Sequence, residues 1–102
     1  MTFTLNCRLV LAPYASVVRT LKESTAIWTR KLLDVGGGSG VYGIELGREY
    51  HQLHTTVYEL PWVCGLVEQA AEAAGMADRI SAAPGDFLKD EQLPGGHDVA
   101  LL

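Results

Sequence analysis

The chain has 102 residues, of which 48% are hydrophobic and 20% charged, a balance ordinary for a globular α/β protein that argues against disorder. Its formal net charge of −4 gives no electrostatic reason to expect nucleic acid or an anionic membrane surface as partner. No apolar run reaches the ~18 residues that span a bilayer, and Asn6 and Arg8 interrupt the moderately apolar start, so neither a membrane span nor a secretory leader is expected.

Cys7 and Cys64 fit no C-x-x-C pattern, and His51, His54 and His97 stand at no ligand spacing to them. The expectation is two reduced thiols, no metal site and a cytoplasmic location.

Residues 13–28 are predicted to form a helix. Tyr14, Val17, Val18, Leu21 and Trp28 share one side of it, Pro13 suits the first turn, and Arg19 and Glu23 can pair one turn apart. Residues 31–36 read as a short buried strand. It runs directly into Gly36-Gly37-Gly38-Ser39-Gly40 and then into a helix from Val41 to about Tyr50. Gly43 and Gly47 lie one turn apart in that helix. Each costs up to ~1 kcal/mol against Ala, so close approach to a neighbouring backbone is expected as compensation.

Residues 55–59 are rich in β-branched and aromatic side chains and read as a second strand. Pro61 opens a second helix with an expected apolar stripe of Val63, Leu66, Val67, Ala70 and Ala74, stopped by Gly75. Residues 79–83 give a weak third strand, and residues 98–102 a fourth.

Strand–helix–strand–helix–strand with short connections predicts a parallel sheet with right-handed crossovers. The expected fold is α/β, a Rossmann-like doubly wound sheet present in its N-terminal half only. Residues 1–30 form an N-terminal helical segment and residues 31–102 a partial cofactor-binding domain. A sheet ending at Leu102 exposes an apolar edge, so marginal stability is expected.

The chemistry concentrates at three strand ends. At Gly36, Gly38 and Gly40 a ligand crossing the end of the first strand can approach the backbone without meeting a Cβ. Glu59 ends the second strand, where an acidic residue can accept from both ribose hydroxyls. Asp86, after Gly85, can accept from an exocyclic adenine amine, and Phe87 can cover the base. The glycine spacing is G-x-G-x-G, with Val41 where a dinucleotide fingerprint wants a third glycine or alanine. S-adenosylmethionine lacks a pyrophosphate and carries positive amino and sulfonium groups, which suits glycines for shape and an acid at Asp34. Asp34 itself either meets the ligand or holds the loop through backbone N–H groups. Tyr42 and Trp62 flank this region as cover or core, and Asp98 is a charge at a strand start.

Leu-Leu-Asp-Val-Gly-Gly-Gly-Ser-Gly at 32–40, Glu-Leu-Pro at 59–61, Ala-Asp-Arg-Ile at 77–80 and Pro-Gly-Asp-Phe at 84–87 resemble the O-methyltransferase family of caffeate, acetylserotonin and hydroxyneurosporene type, nearest its bacterial members. The resemblance runs from about residue 30 to 102 and implies a class I methyltransferase. Gly36 would line the cofactor pocket, Glu59 would hold the ribose where the family often has Asp, and Asp86 with Phe87 would meet the adenine. It further implies a hydroxylated small molecule as acceptor and a homodimer formed through an N-terminal domain that residues 1–30 represent at most in reduced form. The family's His general base follows the strand that begins here at Asp98, so no catalytic residue is expected in this chain. A nicotinamide-dependent oxidoreductase domain and a non-catalytic cofactor-binding fragment are the alternatives.

Overall fold

The computed structural model of the protein describes Leu11–Ala12, Ala15, Arg19 and residues 30–101. The helix predicted over 13–28 lies outside the described residues except at Ala15 and Arg19, and Cys7 lies outside them altogether. Five strands make one sheet: β1 (Leu11–Ala12), β2 (Lys31–Val35), β3 (His54–Glu59), β4 (Ile80–Pro84) and β5 (Val99–Leu101). Their order is β1-β5-β2-β3-β4, and every pair is parallel. Helices α1 (Val41–Glu49) and α2 (Pro61–Ala73) provide the crossovers β2–α1–β3 and β3–α2–β4. The four strands and two helices expected within 31–102 are all present, with ends within about two residues of the expected ones.

Alternation along the strands sorts the core into two faces. Leu32, Asp34, Thr55, Val57, Ile80, Val99 and Leu101 share one face by register. There α1 adds Leu46 to the cluster of Leu32, Leu53, Val99 and Leu101, and α2 adds Val67 and Ala71 to that of Val57, Met76 and Ile80. The other face carries Leu33, Val35, Tyr58 and Ala100, packed against Leu93 and Phe87. Among the described residues the helices therefore cover one face of the sheet.

The stripe expected on α2 needs one correction. Val67 is buried, but Leu66 is 56% exposed and Ala71 is buried in its stead. The 3.6-residue period places Val63, Val67, Ala70, Ala71 and Ala74 toward the sheet and turns Leu66 about 100° away from Val67.

Both helix ends are held by specific contacts. Gly75, at φ 70°, closes α2: its N–H donates to the Glu72 carbonyl (3.0 Å) and the Met76 N–H to the Ala71 carbonyl (2.8 Å). This is the paired C-terminal arrangement that a left-handed residue permits. At the end of α1 the Arg79 guanidinium donates to the carbonyls of Gly47 (2.8 Å), His51 (3.1 Å) and Tyr50 (3.3 Å).

The close approach expected at Gly43 and Gly47 is present, but it is made with side chains and not with a neighbouring backbone. A Cβ on Gly43 would stand 2.9 Å from Thr55 Cγ2, and one on Gly47 would overlap the Met76 side chain. Thr55 is β-branched and buried on β3, so it has little freedom to move aside. Gly43→Ala is expected to destabilise the fold by about 1 kcal/mol, despite a similar gain in helix propensity. Urea unfolding checks this, and a stabilised variant would show that the helix is not pressed onto β3.

Candidate functional site at the carboxyl ends of the strands

The parallel sheet brings the carboxyl ends of β2, β3 and β4 side by side, where the three predicted elements meet. The Gly36 N–H donates to the Tyr58 carbonyl (2.8 Å), and the Gly85 N–H to the Glu59 carbonyl (3.0 Å). Those two bonds tie the glycine turn and the 85–90 turn to opposite edges of the β3 end.

Gly36, Gly38 and Gly40 have φ values of 68°, 60° and 83°. Gly40 is the N-cap of α1 in the left-handed region and offers no side chain to the first turn. A Cβ there would stand 3.6 Å from Val67 and 3.7 Å from Val57, which is ordinary contact, so backbone conformation rather than space selects glycine at this position. At Gly38 a Cβ would meet nothing within 4 Å. At Gly37 it would overlap the Asp34 carboxylate.

Glu59 is buried and its carboxylate grips the turn. Oε2 accepts from the Gly38 N–H and Oε1 from the Leu60 N–H, both at 2.9 Å. Its ends are thus anchored to the glycine turn and to the start of α2, and each oxygen retains acceptor capacity for a further donor.

Asp34 is 2% exposed, and its Oδ2 is buried without a hydrogen-bond partner. Burial, and then the neighbouring Glu59 charge, push its carboxyl up to about 6. It lines a cavity of about 380 Å³ together with Val35 to Ser39, Val41, Tyr42 and Leu101. Of the two roles open to Asp34 from the sequence, holding the loop finds no support at Oδ2, which has no hydrogen-bond partner among the described residues.

Phe87 and Asp86 approach from β4. The Phe87 ring lies 3.2 Å from a Cβ placed on Gly36, and it also packs on the Leu33, Val35 and Tyr58 cluster, so core packing and a place at the site are both met. Asp86 Oδ1 accepts from the Leu88 N–H (3.0 Å), which folds the turn on itself. Neither residue, nor Glu59, lines the 380 Å³ cavity; they border the glycine turn on the side of β3 and β4.

Two residues that sequence reasoning missed fix this turn. Asp90 Oδ2 accepts from the Asp86 N–H (2.8 Å) and from the Tyr58 hydroxyl. A Cβ on Gly85 would run into the same Tyr58 ring. Gly-Asp-Phe followed by Asp four residues after Asp86 was the available signal, but only the fold assigns Tyr58 as its partner. Tyr58→Phe is expected to cost about 1.5 kcal/mol in urea unfolding, the worth of a hydrogen bond to a carboxylate. An unchanged midpoint would show that the turn stands without it.

Other sequence candidates fall elsewhere. Asp98 is not a loose strand-start charge: its Oδ2 accepts from the Arg30 N–H (2.9 Å) and the Lys31 N–H (3.0 Å), stapling β5 to β2. His51 and His54 are exposed before and at the start of β3, and His97 lies just ahead of β5, all at the amino edge of the sheet. Trp62 is 74% exposed on α2. Burial, then Glu68 and Glu59, push the Cys64 thiol up, which leaves it a poor nucleophile at neutral pH. Among the described residues no group of three metal-ligating side chains occurs.

Comparison with known proteins gives a family. The model of the O-methyltransferase domain matches residues 14–102. A 3-hydroxy-5-methyl-1-naphthoate 3-O-methyltransferase of Streptomyces sahachiroi is 49% identical over 73 residues, 72% of this chain and 21% of that protein. The solved O-methyltransferase family 2 protein from Planctomyces limnophilus, in complex with apigenin, is 31% identical at a TM-score of 0.64, covering 78% of this chain and 24% of its own. An RNA methyltransferase from Salinibacter ruber, solved with S-adenosyl-L-homocysteine, is 27% identical at a TM-score of 0.58, covering 79% and 53%. The chain thus spans about a fifth of the curated relative's length.

Proposed function

Because the chain belongs to the O-methyltransferase domain family, we propose that it is the S-adenosylmethionine-binding portion of an enzyme that methylates a hydroxyl group of a small molecule. The observation that carries this reading is the buried, unpartnered Oδ2 of Asp34 on a cavity at the end of β2, with Glu59 close by. Two carboxyl groups there disfavour a pyrophosphate and favour a cation.

The residues fit the cofactor as three successive parts. Asp34 and the glycine turn would hold its cationic methionine end, Glu59 would accept from the ribose hydroxyls, and Asp86 and Phe87 would meet the adenine. Gly36, Gly38 and Gly40 would let it pass close to the backbone. When bound, the cofactor supplies a methyl group already activated by a positive sulfur. The chain's own task is then to position it and keep the sulfonium beside fixed negative charge.

None of the three histidines stands at the carboxyl edge, and the Cys64 thiol is held protonated, so removal of the acceptor's proton falls to groups other than these. The acceptor site, a homodimer and a cytoplasmic location belong to the same proposal. It includes no nucleic-acid partner, in keeping with the net charge of −4. Among the described residues no helix is long and apolar enough to cross a membrane.

Competition in one binding assay tests the reading against a nicotinamide cofactor. S-adenosylhomocysteine is expected to displace a fluorescent adenosine analogue at least about tenfold better than NAD. The reverse order would assign the turn to a dinucleotide.

A further inference from the structure

A second cavity, of about 340 Å³, opens at the other end of the strands and is lined by Lys31, His54, Thr56, Gly95, Gly96 and His97. Lys31 starts β2, and His54 starts β3 directly beside it in the register. Thr56, two residues on, falls on the same face of the sheet. Gly95 to His97 lead into β5. A strand of five residues separates this edge from the glycine turn, a span of roughly 15 Å, so the two cavities are distinct.

The lining is one-sided in charge. It contains an ammonium and two imidazoles and no carboxylate. The nearby acid, Asp98, is engaged by the Arg30 and Lys31 N–H groups. His97 is nine-tenths buried, and its Nδ1 is enclosed without a hydrogen-bond partner among the described residues, with the Pro94 and Gly95 backbone nearby. A buried ring nitrogen without a hydrogen-bond partner among the described residues, at the wall of a cavity also lined by a lysine and a second histidine, marks a place that a ligand can fill.

We propose that this cavity binds a small phosphate-class oxyanion, either free phosphate or the head of a phosphate monoester. Lys31 supplies the charge, His54 and His97 supply ring N–H donors, and the Thr56 hydroxyl and the diglycine backbone complete the cradle. The site is independent of the cofactor reading, because no residue is shared between the two cavities.

Binding is coupled to protonation. Burial holds His97 below its ordinary value, and Lys31 on β2 adds to this, whereas the Pro94 and Gly95 backbone and Asp98 oppose it. His54 on β3 is the other titratable group facing the cavity. An oxyanion stabilises the His97 imidazolium, so its binding is expected to favour proton uptake at that ring.

Histidine side-chain nitrogen NMR on the full chain tests the proposal, with inorganic phosphate and phenyl phosphate as separate arms and sodium chloride at matched ionic strength as control. Saturable shifts of His54 and His97 are expected near ~1 mM phosphate. Lys31→Ala, an exposed position, is expected to weaken them about tenfold while leaving S-adenosylhomocysteine binding unchanged. Tighter phenyl phosphate would identify a monoester as the ligand, and equal or weaker binding would identify free phosphate. Non-saturating shifts, shifts reproduced by chloride, or shifts unchanged in both Lys31→Ala and His54→Asn would overturn the site.

Discussion

Asp34→Asn is expected to make the ligand-free chain more stable at pH 8 and its cofactor site weaker, two effects of opposite sign from one side-chain atom. The carboxyl of Asp34 is raised from 3.8 to about 6, first by burial and then by Glu59. The folded state therefore holds a proton that the unfolded state releases. The stabilisation this represents is fully present below pH ~3.8 and is lost as pH rises to about 6, by a shift corresponding to about 3 kcal/mol. Asn abolishes that loss but leaves a buried amide short of partners, at about 1–2 kcal/mol. The net gain at pH 8 is therefore about 1–2 kcal/mol, and the slope between pH 4 and 6 disappears. Denaturant melts of both proteins across that range measure it. Parallel pH profiles would mean that Asp34 is not desolvated. S-adenosylhomocysteine, whose ammonium would pair with the ionised form, is expected to bind Asp34→Asn about 10–100-fold more weakly. Its affinity for the natural chain is expected to rise with pH up to about 6 and to level off above.

The second large effect separates two adjacent glycines. A Cβ at Gly38 meets nothing within 4 Å, so Gly38→Val is expected to lose only about 1–2 kcal/mol of stability, from a φ of 60° that a branched residue resists. The space it enters is the one proposed for the ligand, and cofactor binding is expected to vanish. Gly37→Ala is the opposite case. Its Cβ collides with the Asp34 carboxylate, so the fold itself is expected to suffer before the ligand is added. Thermal unfolding with and without S-adenosylhomocysteine distinguishes the two. Ligand stabilisation surviving in Gly38→Val would place the cofactor elsewhere.

The parts of this site legible in the sequence are local ones. A glycine string that a strand enters and a helix leaves can be read from its own residues, as can an acid ending the next strand. Paired functions that cross the fold were not legible. Tyr58 and Asp90 meet across 32 residues, and Asp98 reaches back 68 to the Arg30 N–H. No spacing rule joins such partners before the sheet register is known. Glu59 shows the same limit within a correct expectation. Its position suits a ribose, yet in the structure it first secures the Gly38 and Leu60 N–H groups. Leu66 was placed inside because large apolar residues draw the stripe toward themselves. The smaller Ala71, with better phase, is the one that packs.

The acceptor is a different matter. A naphthoate methyltransferase, a protein solved with apigenin and an RNA methyltransferase are all similar to this portion, so similarity over it does not name an acceptor.

The most direct test is calorimetric titration of the chain with S-adenosylhomocysteine, natural sequence beside Glu59→Ala, each first shown to be folded by its far-UV spectrum and unfolding transition. Saturable binding is expected in the natural chain, weakened at least ~30-fold in Glu59→Ala, the loss of one or two hydrogen bonds to a charged acceptor. No binding by the folded chain at ~1 mM ligand, or the same affinity in both proteins, would contradict a cofactor site built on the ends of β2, β3 and β4.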